Sequence, residues 1–149
     1  TTTGATGARA ALVFQGYDVV AVTHFHGFRQ PNATELLPEH RTVMEAAGLK
    51  ILTCGHAFGG MSRAVRKKLD TYEVGEIIAY TLRIFGEGMK VAVEMALMAA
   101  DAGLARTGER GTVTAGTSHG ADMALLLRPA NSQNFFDLKV EEILCLPYR

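Results

Sequence analysis

Thr1-Thr2-Thr3-Gly4-Ala5-Thr6-Gly7, running into Ala8-Arg9-Ala10-Ala11-Leu12-Val13-Phe14, is the stretch on which the fold turns. Hydroxyls and glycines ahead of a helix-forming run suit the turn between a β-strand and a helix. Glycine lets the backbone approach an anion closely. The helix mouth offers N–H groups at the positive end of its dipole, and threonine hydroxyls add donors. The run therefore points to a phosphate. A strand belongs in front of such a turn, and the expectation is that it lies upstream of Thr1, with a helical element beside it.

Working outward, strand and helix signals alternate. Residues 18–23 are a β-branched run after Gly16, the pattern of a buried strand. Residues 35–47 read as a helix stopped by Gly48; Pro38 fits only a first turn, which moves the start towards Leu37. Residues 50–54 form the next strand and residues 62–69 a short basic helix. Residues 76–102 read as one long helix ending at Gly103, in which Gly86 and Gly88 weaken the middle and predict a kink. Ile78, Leu82, Phe85, Met89, Val93 and Ala96 repeat at helical spacing. Glu76, Arg83, Glu87, Lys90 and Glu94 lie on another face, expected to be solvated and self-paired, with a site or subunit contact as the alternative. Residues 112–115 and 122–128 are strands whose short glycine-bearing loop suits antiparallel pairing. Residues 137–147 fit a last strand or a short helix. Met89, Met95 and Met98 read as core filling, and Cys54 and Cys145 as small buried hydrophobes.

Composition narrows the class. A chain of 149 residues, 48% hydrophobic, fills one core, so the expectation is a single α/β domain over residues 1–149 with a mostly parallel sheet. Fifteen basic and fifteen acidic side chains leave no net charge, and no basic run exceeds Arg66-Lys67-Lys68. That argues against nucleic acid as a partner, because such binding rests on neutralising phosphates. Two distant cysteines suit a reducing, cytoplasmic setting. The most apolar region, around residues 90–100, carries Lys90 and Glu94, so no membrane partner is expected.

The opening Thr-x-Thr-Gly-x-Thr is similar to the phosphate-binding loop in the C-terminal domain of pyruvate kinases. Further segments bring the chain closer to stand-alone archaeal and bacterial pyruvate kinase alpha/beta domain proteins. They are Val22-Thr23-His24-Phe25-His26-Gly27-Phe28, Thr53-Cys54-Gly55-His56-Ala57, Gly120-Ala121-Asp122 and Arg128-Pro129-Ala130-Asn131-Ser132. Leu82-Arg83-Ile84-Phe85-Gly86-Glu87-Gly88-Met89-Lys90-Val91-Ala92-Val93-Glu94 also carries the likeness, which spans nearly the whole chain. The resemblance implies a three-layer α/β sandwich. Its five-stranded sheet has order 3-2-1-4-5, counting the upstream strand first, with the last strand antiparallel. It also implies flavin mononucleotide as a bound cofactor, and it brings no reaction with it. Gly7 departs from the pyruvate kinase loop, which usually continues with alanine. Nothing matches that enzyme's catalytic barrel, so kinase activity is not implied.

In an open α/β sheet, ligands sit beyond the carboxyl ends of the strands where strand order reverses. On the implied order, residues 1–6 and 116–122 flank that crevice, and both are rich in glycine and hydroxyls. The plainer alternative is two tight turns with capping hydroxyls. His24 and His26 follow one strand and His56 the next. Such histidines hydrogen-bond a flavin or phosphate, carry a proton, or are satisfied by backbone carbonyls. A metal reading would use all three, but no acidic or cysteine pattern accompanies them. Phe25 and Phe28 offer an apolar wall for a flavin ring. The expected ligand-binding set is Thr2, Thr3, Gly4, Ala5, Thr6, His24, His26, Gly27, Phe28, Gly116, Thr117, Gly120 and Asp122, with no metal. Two other readings stay open: a sensor module that binds a sugar phosphate or nucleotide without chemistry, and an enzyme using His24 or His26 as acid and base. Self-association is also left open.

Overall fold

A computed structural model describes residues 1–147 as a mixed α/β chain with helices and two small sheets. The chain divides into two compact units, Thr1–Gly55 and His56–Arg149.

The first unit runs α1 (Ala5–Val13), β1 (Val20–Thr23), α2 (Pro38–Ala46) and β2 (Lys50–Thr53). Pro38 opens α2 because its fixed φ suits a first turn, and Leu37 ahead of it is extended. The strands pair in parallel, with Val20 beside Lys50 and Thr23 beside Thr53. Lys50 N–H donates to the Val19 carbonyl. Because carbonyls alternate sides along a strand, the Val22 carbonyl faces away from β2. Ala11, Ala21, Leu36, Met44 and Leu49 form the core of this unit. Gly7 lets α1 approach α2 closely: a Cβ there would lie 2.3 Å from Met44 Sδ.

The second unit contains α3 (Gly60–Leu69), α4 (Val74–Arg83), α5 (Glu87–Asp101), β3 (Gly111–Ala115), β4 (Met123–Arg128), a 3-10 turn at Ser132–Asp137 and β5 (Lys139–Cys145). The sheet has order β3-β4-β5 and is antiparallel throughout. Met123, Leu125 and Leu127 alternate inward from β4 and join Met89, Val93, Ala96 and Leu97 of α5 in the core. Gly88 allows that approach, since a Cβ would sit 2.7 Å from Met123 Cβ.

Several expectations need correction. The helix expected over residues 76–102 is two helices, α4 and α5. Gly86 separates them at φ 109 and ψ 157, a conformation that side chains resist. The charged row is not a solvated face: Glu76, Lys90 and Glu94 are buried. α5 is covered nearly all round, so a charged pair within it is buried too. Phe85, expected in the apolar repeat, is instead half exposed. Residues 139–145 settle as a strand. Cys145 is exposed on that strand and Cys54 is half-buried, so neither is a core hydrophobe. Among the described residues, no helix is long and apolar enough to cross a membrane.

Candidate functional site

The mouth of α1 is built by Gly4, which takes φ +94 as the N-cap residue, with no side chain capping the helix. The Ala8 N–H closes the first turn on the Gly4 carbonyl at 2.8 Å. Gly7 N–H makes a long contact of 3.4 Å with Thr1 Oγ1. The N–H groups of Ala5 and Thr6 lie in the first turn, whose donors have no partner within the helix. Thr3 is exposed, and Thr2 and Thr6 are half-buried. The loop is pinned from two sides. The Thr3 carbonyl accepts from Leu37 N–H at 3.0 Å and lies 2.9 Å from His40 Nδ1. The Thr1 nitrogen donates to the Val22 carbonyl at 2.5 Å.

Gly4 does not sit in an open surface turn. It is buried, and a Cβ there would stand 2.6 Å from both Leu36 Cδ1 and His40 Cβ. Glycine is required here by packing and by its positive φ.

A second cluster lies just past β1. The hydroxyls of Thr23 and Thr53, at the ends of the paired strands, are 2.6 Å apart. His24 follows, with Nδ1 2.6 Å from Glu35 Oε2. Arg29 Nε reaches the other Glu35 oxygen at 2.9 Å. The His24 ring stacks on Phe28 at 3.9 Å and 27°, and Phe25 meets Phe28 edge-on at 5.4 Å. Gly27, at φ +85, donates its N–H to the Ala33 carbonyl and closes the loop. His26 and Gly27 are exposed. Glu35 stands two residues before Leu37, which holds Thr3. The ends of β1 and β2, the α1 mouth and residues 24–37 thus share one edge of this unit.

The carboxylate orients the imidazole and fixes its tautomer when Nδ1 is the donor. An anion acceptor (the helix mouth) and a ring-stacking platform (His24 on Phe28) are the two chemical capacities present. Sequence reasoning missed Glu35, Arg29 and His40. The start near Leu37 expected from Pro38 is borne out and leaves Glu35 in the loop, where nothing local marks it as the partner of His24.

Gly116, Thr117, Gly120 and Asp122 lie in the second unit, in the β3–β4 hairpin. Thr117 Oγ1 donates to Asp122 Oδ2 at 3.1 Å, and Asp122 N–H to the Ala115 carbonyl at 2.9 Å. A Cβ on Gly116 would lie 2.5 Å from the Gly120 carbonyl oxygen, which explains the glycine. Asp122 Oδ1 is buried without a hydrogen-bond partner. A carboxylate at this position opposes a second anion and suits hydroxyl donors instead.

Elsewhere in this unit, Glu94 Oε1 accepts the Phe58 N–H at 2.8 Å, while Oε2 pairs with the Lys90 ammonium. Glu76 pairs with Arg66 at 2.7 Å. Among the described residues, no three His, Cys, Asp or Glu side chains gather into a group that could hold a metal ion. No family model matches the chain.

Proposed function

We propose that the first unit binds a phosphorylated ligand, and that flavin mononucleotide is the ligand its chemistry suits best. The observation that carries this reading is the uncapped mouth of α1, with Thr2, Thr3 and Thr6 around it and the His24–Phe28 stack on the same edge. A phosphate supplies several acceptor oxygens to the Ala5 and Thr6 N–H groups and favours the dipole's positive end. Phe25, Phe28 and His24 suit a flat, partly apolar ring. A second reading, a sensor for a sugar phosphate or nucleotide, draws support from His26 and Arg29, which are exposed beside the stack and favour a polar ligand.

Titration of flavin mononucleotide against riboflavin, followed by quenching of flavin fluorescence, tests the phosphate anchor. Charge-assisted hydrogen bonds of about 1.5–3 kcal/mol predict at least about tenfold tighter binding of the phosphorylated form. Equal affinities would sink the phosphate site. Failure of both flavins, with a sugar phosphate shifting the melting temperature, would favour the sensor.

The finer sheet architecture belongs to the same reading: one five-stranded sheet of order 3-2-1-4-5 with its last strand antiparallel. In support, the Val22 carbonyl faces away from β2, as pairing with a further strand on that side would require. A cytoplasmic setting goes with it, because an exposed thiol such as Cys145 stays reduced there.

A further inference from the structure

α4 carries its apolar residues on both faces. Ala79 is buried and Ile78 and Leu82 pack on the core, as an amphipathic helix requires. The opposite face should be polar, yet Val74, Ile77 and Ile84 stand 70%, 55% and 77% exposed. Tyr80 and Phe85 are half exposed beside them, and Thr81 is exposed. Positions 74, 77, 81 and 84 follow the alternating three–four spacing of a helix–helix seam. No charged residue interrupts this face between Glu73 and Arg83.

We propose that this face is where two copies of the chain meet, α4 packing antiparallel on α4 of the second copy about a two-fold axis. The surface is complementary to itself. Ser62, Tyr72, Glu73, Val74, Gly75 and Ile77 line an open groove of about 460 Å³ at the N-terminal end of α4. Ile84 and Phe85 project at its C-terminal end. Antiparallel two-fold packing sets Val74 against Ile84 and Ile77 against Thr81, and so delivers each copy's Ile84–Phe85 knob to the other's groove. The orientation also sets the two helix dipoles in opposition, and Arg83, held by Glu87 and stacked over Tyr80, leaves the seam positions 74, 77, 81 and 84 uncharged. The exposed area of Tyr72, Val74, Ile77, Tyr80, Ile84 and Phe85 is roughly 700 Å², close to the ~800 Å² that each partner gives to a standard interface. A solitary surface rarely leaves so much contiguous apolar area to water.

Sedimentation equilibrium of the 149-residue chain and its Ile77→Glu variant tests this. The native chain is expected to sediment as a dimer of its 16.0 kDa monomer. Ile77→Glu buries an unpaired carboxylate against Thr81 on each side of the axis and should weaken the dimer by about a hundredfold or more, with the far-ultraviolet circular dichroism unchanged. If that variant loses its fold, Ile84→Lys replaces it, with the same expectation. A native chain that stays monomeric, or a folded variant that dimerises as the native chain does, overturns the proposal.

Discussion

Single residues show where a side chain's role is set by what surrounds it. Gly4 combines a positive φ with contacts that would bring a Cβ to 2.6 Å from two neighbours. Gly4→Val is therefore expected to destabilise the first unit by about 2 kcal/mol or more, seen as an earlier urea midpoint, and so cannot report on ligand binding alone. Thr6→Val, which keeps shape and removes only a hydroxyl, is the cleaner probe of the phosphate site. Glu94 is the converse case. It satisfies the Lys90 ammonium and the Phe58 N–H, and with Lys90 it is almost wholly buried. Glu94→Ala leaves both groups unpaired and should cost about 3–5 kcal/mol in chemical denaturation. Replacing Lys90 and Glu94 together by methionine should recover most of this, leaving the orphaned Phe58 N–H at about 1–3 kcal/mol. A double variant as unstable as Glu94→Ala would show that the ammonium is not the source of the loss. The His24–Glu35 contact teaches the same lesson at the candidate site. Both residues were visible in the sequence, but only His24 looked functional, because nothing local to Glu35 marks it as a partner eleven positions away.

At the scale of elements, glycine, proline and periodicity located most helices and strands to within a few residues. Gly48 ends the turn after α2, Pro38 opens it, and Gly86 divides α4 from α5. The error over residues 76–102 was one of continuity: apolar spacing runs on through a break that a backbone angle imposes. The C-terminal end of α5 is tied to the 3-10 turn by Asp101, whose Oδ1 accepts from Ser132 N–H at 2.9 Å and from the Asn131 amide at 3.2 Å. Hydrogen bonding from Ser132, foremost from its hydroxyl, holds the Asp101 carboxyl below its ordinary value of 3.8. A carboxyl depressed in the folded state adds stability that is present above its unfolded pKa and is lost as pH falls through the folded one. Asp101→Asn should therefore lower the melting temperature at neutral pH by a few degrees and remove part of the loss on acidification below pH 3.8. Parallel acid limbs for the two proteins would show that Asp101 contributes nothing to the titration.

Over the whole molecule, the sequence by itself determined the α/β class, the positions of its main breaks, the antiparallel hairpin of β3 and β4 and the helix that opens after Gly4. These follow from local causes: a residue's backbone freedom, its missing N–H, and an apolar period that shows over ten or so positions. Composition also set its broad bounds, since balanced charge describes the sum of the side chains however they fold. Only the tertiary structure decided which face of a helix turns inward. α4 has apolar residues on two sides, and periodicity does not choose between them; the choice comes from packing against the core that α5 forms with β4, a strand some forty residues further on. Packing in the second unit buries Lys90 and Glu94, whose types predict solvent, and leaves no room for a side chain at Gly88; in the first unit, Leu36 and His40 do the same at Gly4, whose positive φ also demands glycine. The folding of the loop between β1 and α2 brings Glu35 and Arg29 to the neighbourhood of His24. Burial and pairing are properties of neighbours in space, and a chain read one residue after another does not contain those neighbours until it has folded.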